Sequence, residues 1–548
     1  MGPCAGKFKC GVTPNLDAGT LACLVEQNRS AGGSKFAPRS RAEPPQARRR
    51  QSSDGNGFKY HGSRKQRFAM PLQSLILRTL LLFAVAMTAA SAQSLPRSVE
   101  LALKRAQIPL SGVAAYVQDV DGAKPLVAHN AAQAMNPAST MKLVTTYAAL
   151  ELLGPAYTWK TEAYARGELQ GGVLQGDLIL KGYGDPKLTL ENFWLLLRRL
   201  RALGLREIRG DLVLDRSYFE PVEYDPAKFD SEPLRAYNVG PDALLLSFKT
   251  VRFLFVPDAG RKTVTVIAEP KPAGLEFAAA VAATDGACGD WRAGIKADFK
   301  SNGASATANF AGSMPASCGE RYWNASLLAP PNYVYGVFRQ LWEDLGGIIE
   351  GGWKNGPVPA DARLLAASES ASNAELVRNI NKFSNNVMAR QLFLTLGAEV
   401  LKLPGRNDRS AQVVQSWLAE KKLDFPELVL ENGSGLSRQE RISAGNMGRL
   451  LLDAWRSAVM PELMSSLPLV AYDGTMRRRL RFESIAGQAH IKTGSLSDAR
   501  TLAGFVLDRR GQRHVVIMFV NHANAAAGQP AQDALLQWVY EGGERRRN

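Results

Sequence analysis

The sequence predicts an α/β domain broken by a large, mostly β insertion, and three observations predict it. Apolar residues recur at helical spacing after Ser139 and again after Ser372. Apolar runs typical of strands appear between residues 489 and 520. Finally, 241 residues lie between Lys142 and Ser384, far more than one connection inside a compact domain. The chain must therefore leave the domain and return to it. The expected division is 93–156 and 356–548 for the α/β domain, with 157–355 as inserted β-rich lobes.

Each element has a local reason. Asn136-Pro137-Ala138 is a turn signal, and Leu143, Val144, Tyr147 and Ala148 follow it at helical spacing until Gly154-Pro155 stops the run. In the insertion, residues 212–214 are bracketed by Gly210-Asp211 and Asp215, and 253–256 turn at Asp258-Ala259-Gly260 into 263–268. One clear helix, 192–203, interrupts these strands, which divide into two small lobes. Ser372-x-x-Glu375 is a capping signal for a helix ending near Asn381. Residues 382–386 read as a loop, and a second helix runs through Val387, Met388, Leu392, Phe393 and Leu396 to Gly397. Extended residues 489–491 lead to a strand at 502–507, which Arg509-Arg510-Gly511 turns into another at 515–520. A helix over 532–541 closes the domain.

With 548 residues, 45% hydrophobic and 22% charged, the composition is that of a globular protein able to bury several cores. The net charge of +16 is uneven: residues 1–92 hold 14 Lys and Arg against 4 Asp and Glu, leaving +6 for the rest. No RNA- or DNA-binding motif accompanies the basic excess, so a nucleic-acid partner is not expected. Met70 begins a basic start, a short apolar run and a small-x-small end at Ala90-Ser91-Ala92, which together describe a secretory signal peptide over 70–92. Residues 1–69 then read as an untranslated or disordered leader, translation starts at Met70, and N-terminal sequencing of the exported protein should begin at Gln93. Cys4, Cys10 and Cys23 fall in the leader. That leaves Cys288 and Cys318, which in an exported protein suggest one disulfide.

Three short strings carry the chemistry: Ser139-Thr140-Met141-Lys142, Ser384-Asn385-Asn386 and Lys492-Thr493-Gly494. A Ser-x-x-Lys string occurs on the order of twice by chance in a chain this long, and alone it reads as a helix cap followed by a solvated lysine. Placed at a helix N-terminus, however, Lys142 lies one turn from Ser139 on the same face and its amine can reach the serine hydroxyl. Ser384 and Asn386, pinned between two helices, read alone as interhelical capping. Lys492 to Gly494, read alone, is equally an edge strand protected by a lysine. Beside a nucleophile it could instead bind an extended peptide by strand addition, Gly494 leaving room for close approach. Order and context favour the joint reading. No histidine offers a rival base: His129, His490, His514 and His522 form no Ser-His-Asp pattern, and no Gly-x-Ser-x-Gly elbow is present. No Cys-x-x-Cys or clustered His and Cys supports a metal site, and no cofactor is expected.

From Ser139 to about Phe505 the chain resembles the class C, low-molecular-mass penicillin-binding proteins, the serine D-alanyl-D-alanine carboxypeptidases and endopeptidases of peptidase family S13. Gly182-Tyr183-Gly184-Asp185-Pro186, Asn432-Gly433-Ser434-Gly435-Leu436-Ser437-Arg438, Tyr472-Asp473-Gly474-Thr475 and Leu502-Ala503-Gly504-Phe505 are similar to further segments of that family. Two departures stand out. The second of these segments usually begins with Asp, where this chain has Asn432, and Ser495 follows the Lys-Thr-Gly where Thr is also common.

The resemblance implies a serine β-lactamase/transpeptidase-like catalytic domain acting on peptidoglycan peptides through an acyl-enzyme, with β-lactams as inhibitors. Ser139 would attack, Lys142 would take its proton, and Ser384 with Lys142 would pass one to the leaving group. Asn386 would position a substrate amide, while Lys492 and Thr493 would bind the terminal carboxylate. The N–H groups of Ser139 and Ser495 would form the oxyanion hole. It also implies an acid in the insertion that grips the amino group of the peptide's third residue, and Asp230 and Glu232 are candidates by position. Asp185 reads as a turn cap. A β-lactamase would share the motifs, and a non-catalytic peptidoglycan-binding factor could keep the fold. With the tail Gly542-Gly543-Glu544-Arg545-Arg546-Arg547-Asn548, the expectation is a soluble periplasmic enzyme with at most loose membrane association.

Overall fold

The structure is a computed structural model that describes residues 94–543. The leader, the signal peptide and Cys4, Cys10 and Cys23 lie outside the described residues.

A five-stranded antiparallel sheet forms the centre of the α/β part, in the order Ala489–Ser495, Ala499–Leu507, Arg513–Asn521, Val113–Asp119 and Val127–His129. Its third strand is apolar on both sides because both faces are covered. Val516, Met518 and Val520 pack under the helices Arg97–Arg105 and Gln529–Tyr540. Val515, Ile517 and Phe519, one residue out of phase, enter the larger core with Leu143, Tyr147, Leu376, Leu392 and Leu450 from the helices opposite. Truncating such a residue, for example Ile517→Ala, would cost about 2–5 kcal/mol.

The Lys142–Leu152 helix crosses that core and is buried at every position from Lys142 to Leu150. A helix apolar all round belongs in an interior, and here it carries a lysine in with it. Ser372 caps the Asn373–Phe383 helix by accepting the Glu375 N–H, as its sequence signal requires.

Between these halves lie two more sheets. A seven-stranded sheet contains Lys160–Gln170, Val173–Gly182, Glu207–Ile208, Leu212–Asp215, Ile348–Ile349, Trp353–Asn355 and Arg363–Glu369. A six-stranded sheet runs Ile295–Ser301, Ala306–Pro315, Leu275–Thr284, Thr263–Glu269, Val251–Asp258 and Arg321–Ala325. A disulfide joins Cys288 and Cys318 within the chain that builds the latter.

Two details differ from the sequence reading. Strand Arg363–Glu369 pairs with Lys160–Gln170, so the chain returns to the central sheet's helices after residue 369, later than 356. The inserted region also has a second helix, Pro330–Asp344, besides Leu190–Ala202. Its Pro330-Pro331 start was a legible signal, but Tyr333, Tyr335, Phe338 and Trp342 give it the look of a strand.

Candidate active site

Ser139 lies in a tight 3₁₀ turn, Ala138–Met141, that feeds the Lys142–Leu152 helix. The turn is strained, because Ala138 has φ of +46°, a conformation L-residues rarely adopt. Neighbours hold it there. Thr140 Oγ1 and Thr501 Oγ1 both donate to the Pro137 carbonyl, at 2.6 and 2.7 Å. Two glycines admit the chain from either side: a Cβ on Gly435 would overlap the Ala138 carbonyl, and one on Gly494 would lie 2.7 Å from the Ser139 nitrogen.

Lys142 is fully buried. Its Nζ lies 3.0 Å from Ser139 Oγ and 2.7 Å from Asn386 Oδ1, and it donates to the Ser434 carbonyl. A neutral amine has two donors and one lone pair. With Asn386 and Ser434 taking the donors, the lone pair is left for the Ser139 hydroxyl proton. Burial, then the nearby cations Lys492 and Arg390, hold the Lys142 amine well below its usual range, with Glu440 opposing them.

The second string splits its duties. Ser384 ends the Asn373–Phe383 helix in the left-handed conformation, and Asn385 caps the Asn386–Leu401 helix by accepting the Met388 N–H at 3.0 Å. Capping therefore explains Asn385. It leaves the Ser384 hydroxyl on Lys492 Nζ at 2.8 Å and the Asn386 amide on Lys142.

Lys492 is likewise fully buried, and burial lowers its amine to about 7. It also donates to the Thr493 carbonyl at 2.7 Å. Thr493 Oγ1 donates to Thr475 Oγ1 at 2.7 Å, which brings the Tyr472 to Thr475 segment to the strand. Ser495 is exposed at the end of that strand, opposite Arg500.

Ser139, Lys142 and Asn386 thus form one hydrogen-bonded group and Ser384 and Lys492 another; the 384–386 segment supplies a residue to each half of this constellation, and Thr493, Gly494 and Ser495 continue the strand from Lys492. Among the described residues, no hydrogen bond or ion pair joins Asp230 or Glu232 to any of the five. Asp230 accepts from Tyr237 Oη at 2.8 Å and Asn238 Nδ2 at 2.6 Å, and Glu232 pairs with exposed Arg235 at 3.3 Å. Their loop nevertheless reaches the turn through Phe229, which packs with Ala138, Leu436, Leu496 and Ala499 beneath the Arg438 guanidinium. Asp185 accepts the Lys187 N–H at 2.8 Å, and burial pushes its carboxyl up to about 6.

Three contributors escape sequence reading: the Ser434 carbonyl, Arg390 and Glu440. A backbone oxygen carries no residue signature. Arg390 sits on a buried helix and donates to the Val239 carbonyl at 3.0 Å, a pattern set only by tertiary packing. Glu440 had a signal, since Ser437 Oγ accepts its N–H at 3.0 Å as a Ser-x-x-Glu turn would.

Comparison with known proteins identifies the family. The family model described as D-Ala-D-Ala carboxypeptidase 3 (S13) matches residues 95–541. A D-alanyl-D-alanine carboxypeptidase of Actinomadura sp. (strain R39) is 31% identical over 452 residues, covering 78% of this chain and 80% of that one. The D-alanyl-D-alanine carboxypeptidase DacB of Haemophilus influenzae is 25% identical over 419 residues, covering 75% and 85%. The crystal structure of penicillin binding protein 4 from Haemophilus influenzae superposes with a TM-score of 0.68 at 23% identity, covering 81% of this chain and 99% of that one. A second structure of it, complexed with a β-lactam, has a TM-score of 0.64 at 22% identity over the same shares. At that identity the superposition speaks for the fold, a transpeptidase-like α/β domain with a large β-rich insertion. The sequence matches span nearly all the described residues and both halves of the constellation, and the chain belongs to the D-Ala-D-Ala carboxypeptidase 3 (S13) family.

Proposed function

We propose that the protein removes the terminal D-alanine from peptidoglycan peptides, and opens D-alanyl cross-links between them, through an acyl-enzyme on Ser139. The observation that carries this reading is a buried lysine amine 3.0 Å from the Ser139 hydroxyl with its other partners already assigned. Lys142 takes the hydroxyl proton as Ser139 Oγ attacks the carbonyl between the two D-alanines. The N–H groups of Ser139 and Ser495 receive the developing oxyanion; the close approach at Gly494 supports that pairing. The proton taken by Lys142 passes by way of the Ser384 hydroxyl, which Lys492 holds at 2.8 Å, to the leaving amine, so that Lys142 is neutral again, and Asn386 orients the substrate amide. Lys492 and Thr493 take the terminal carboxylate, whose charge favours the protonated Lys492. Water, activated by Lys142, then hydrolyses the ester.

Recognition of the third-residue amino group falls to Asp230, which follows Phe229 in the chain and is held by Tyr237 and Asn238; Glu232 is engaged with Arg235. β-Lactams would acylate Ser139 in place of the peptide, as their complex with the Haemophilus protein suggests. Rapid turnover of that adduct needs a further base, and the side chains hydrogen-bonded to Lys142 and Ser139 among the described residues include no carboxylate, which disfavours a β-lactamase. An intact nucleophile and base disfavour a mere binding factor. The signal at 70–92 supports export to the periplasm. No helix among the described residues is long and apolar enough to cross a membrane.

The test is D-alanine release from a pentapeptide stem. The protein should release it, Ser139→Ala should release none, and Asp230→Asn should lose the preference for an amino-bearing third residue. Equal release by Ser139→Ala would end the proposal.

A further inference from the structure

We infer that Glu440, outside the three motifs, is a positioning residue for Lys142: its carboxylate grips the 431–433 turn that presents the Ser434 carbonyl to the lysine, and it supplies the negative charge among the buried cations. The inference rests on the catalytic reading above.

Glu440 is fully buried. Its Oε1 accepts the N–H groups of Glu431 at 3.3 Å, Asn432 at 3.0 Å and Gly433 at 2.8 Å. Both carbonyls that follow face the nucleophile helix. Gly433 O accepts from Thr145 Oγ1 at 2.7 Å, and Ser434 O accepts from Lys142 Nζ. The turn is therefore clamped between the carboxylate and the Lys142–Leu152 helix, and a shift of Glu440 would move an acceptor of the base. Glu440 is itself fixed at both main-chain ends, its N–H on Ser437 Oγ at 3.0 Å and its carbonyl under Arg441 Nη1 at 2.8 Å.

Among the charged groups that act on Lys142, Glu440 has no substitute. Asn432, where the family usually has an acid, works through a neutral amide: Oδ1 accepts from Ser434 N at 2.9 Å and Ser434 Oγ at 2.6 Å, and Nδ2 donates to the Leu436 carbonyl at 3.1 Å. The charged groups acting on Lys142 are Lys492, Arg390 and Glu440, and only Glu440 is negative. Arg390 faces Glu440 as well, together with Tyr224 and Glu431. Burial raises the Glu440 carboxyl, while its three N–H donors and Lys142 oppose the rise. Its Oε2 is buried without a hydrogen-bond partner among the described residues. A buried, half-bonded carboxyl costs stability, and its position beside the site is where its charge has an effect.

Glu440→Gln separates charge from grip, because the amide oxygen can still accept the three N–H groups. Removing the negative charge lets Lys142 lose its proton at lower pH. The acid limb of kcat/KM, which reports the free enzyme's base, should move down by about one pH unit. The same shift is expected in the rate of acylation by a labelled penicillin. Glu440→Ala removes the grip too, and its plateau rate should fall by about tenfold or more. A Glu440→Gln profile that superposes on the parent's, or that is scaled down without a shift of its limb, would overturn the inference, as would a Glu440→Ala plateau equal to the parent's. A parent that neither releases D-alanine nor forms an acyl-enzyme would instead refute the catalytic reading.

Discussion

Lys142 and Lys492 are the residues on which the site turns, since each is a cation's side chain held entirely out of water. Bringing the Lys492 amine from its usual value of about 10.4 to about 7 takes roughly 4–5 kcal/mol of differential interaction, and burial is its cause; burial likewise leads the lowering of Lys142. The sequence showed which residue types stood at helical and strand spacing, and the structure holds Ser139 and Asn386 on Lys142 and Ser384 on Lys492. It could not show which main-chain oxygen would complete the lysine's shell, nor that Arg390 and Glu440 would set the local field. Those depend on chain segments far apart in sequence. Gly494 gives the sharpest single-residue test. An added Cβ would lie 2.2 Å from Thr501 Oγ1 and 2.7 Å from the Ser139 nitrogen, pushing strand and turn apart. Gly494→Ala should lower penicillin acylation by about 100-fold and lower the melting temperature as well, and stopped-flow acylation kinetics on the folded variant would measure the former; an unchanged rate would show that the close approach is unimportant.

At the level of elements, capping and periodicity made the α/β part legible. Ser372 and Asn385 form the side-chain caps that their sequence context specifies, and Arg513–Asn521 covers the expected apolar run. The inserted region was less legible because its strands are half exposed and its edges are set by pairing across long separations. Arg363–Glu369 joins a strand some 200 residues earlier in the chain, which no local pattern announces. The Cys288–Cys318 disulfide, with a sequence separation of 30, belongs to this part alone. Replacing both cysteines by serine should cost about 3–4 kcal/mol in the chain-entropy model while leaving acylation of Ser139 intact. Chemical denaturation beside an acylation assay would check this, and loss of acylation in the folded variant would mean that the six-stranded sheet shapes the site directly.

For the whole molecule, the buried lysines couple folding to pH. The Lys492 amine lies at about 7 in the folded protein and at about 10.4 when unfolded. Between those values the unfolded chain carries a proton that the folded chain lacks, so stability rises with pH across that window and is lower at its acid end. Lys492→Met removes this dependence. Between pH 7 and pH 9 the parent should gain about 2 kcal/mol relative to Lys492→Met, read from denaturation midpoints at both pH values. Parallel behaviour of the two proteins would mean that Lys492 is solvated when folded.

Everything proposed for this site requires that Ser139, activated by Lys142, becomes covalently acylated. Incubating the protein with penicillin, quenching and mapping the adduct by peptide mass spectrometry tests it most directly. One penicilloyl group per protein is expected, carried on Ser139 and absent from Lys142→Ala. An adduct on another residue, or full labelling of Lys142→Ala at the parent's rate, would contradict it.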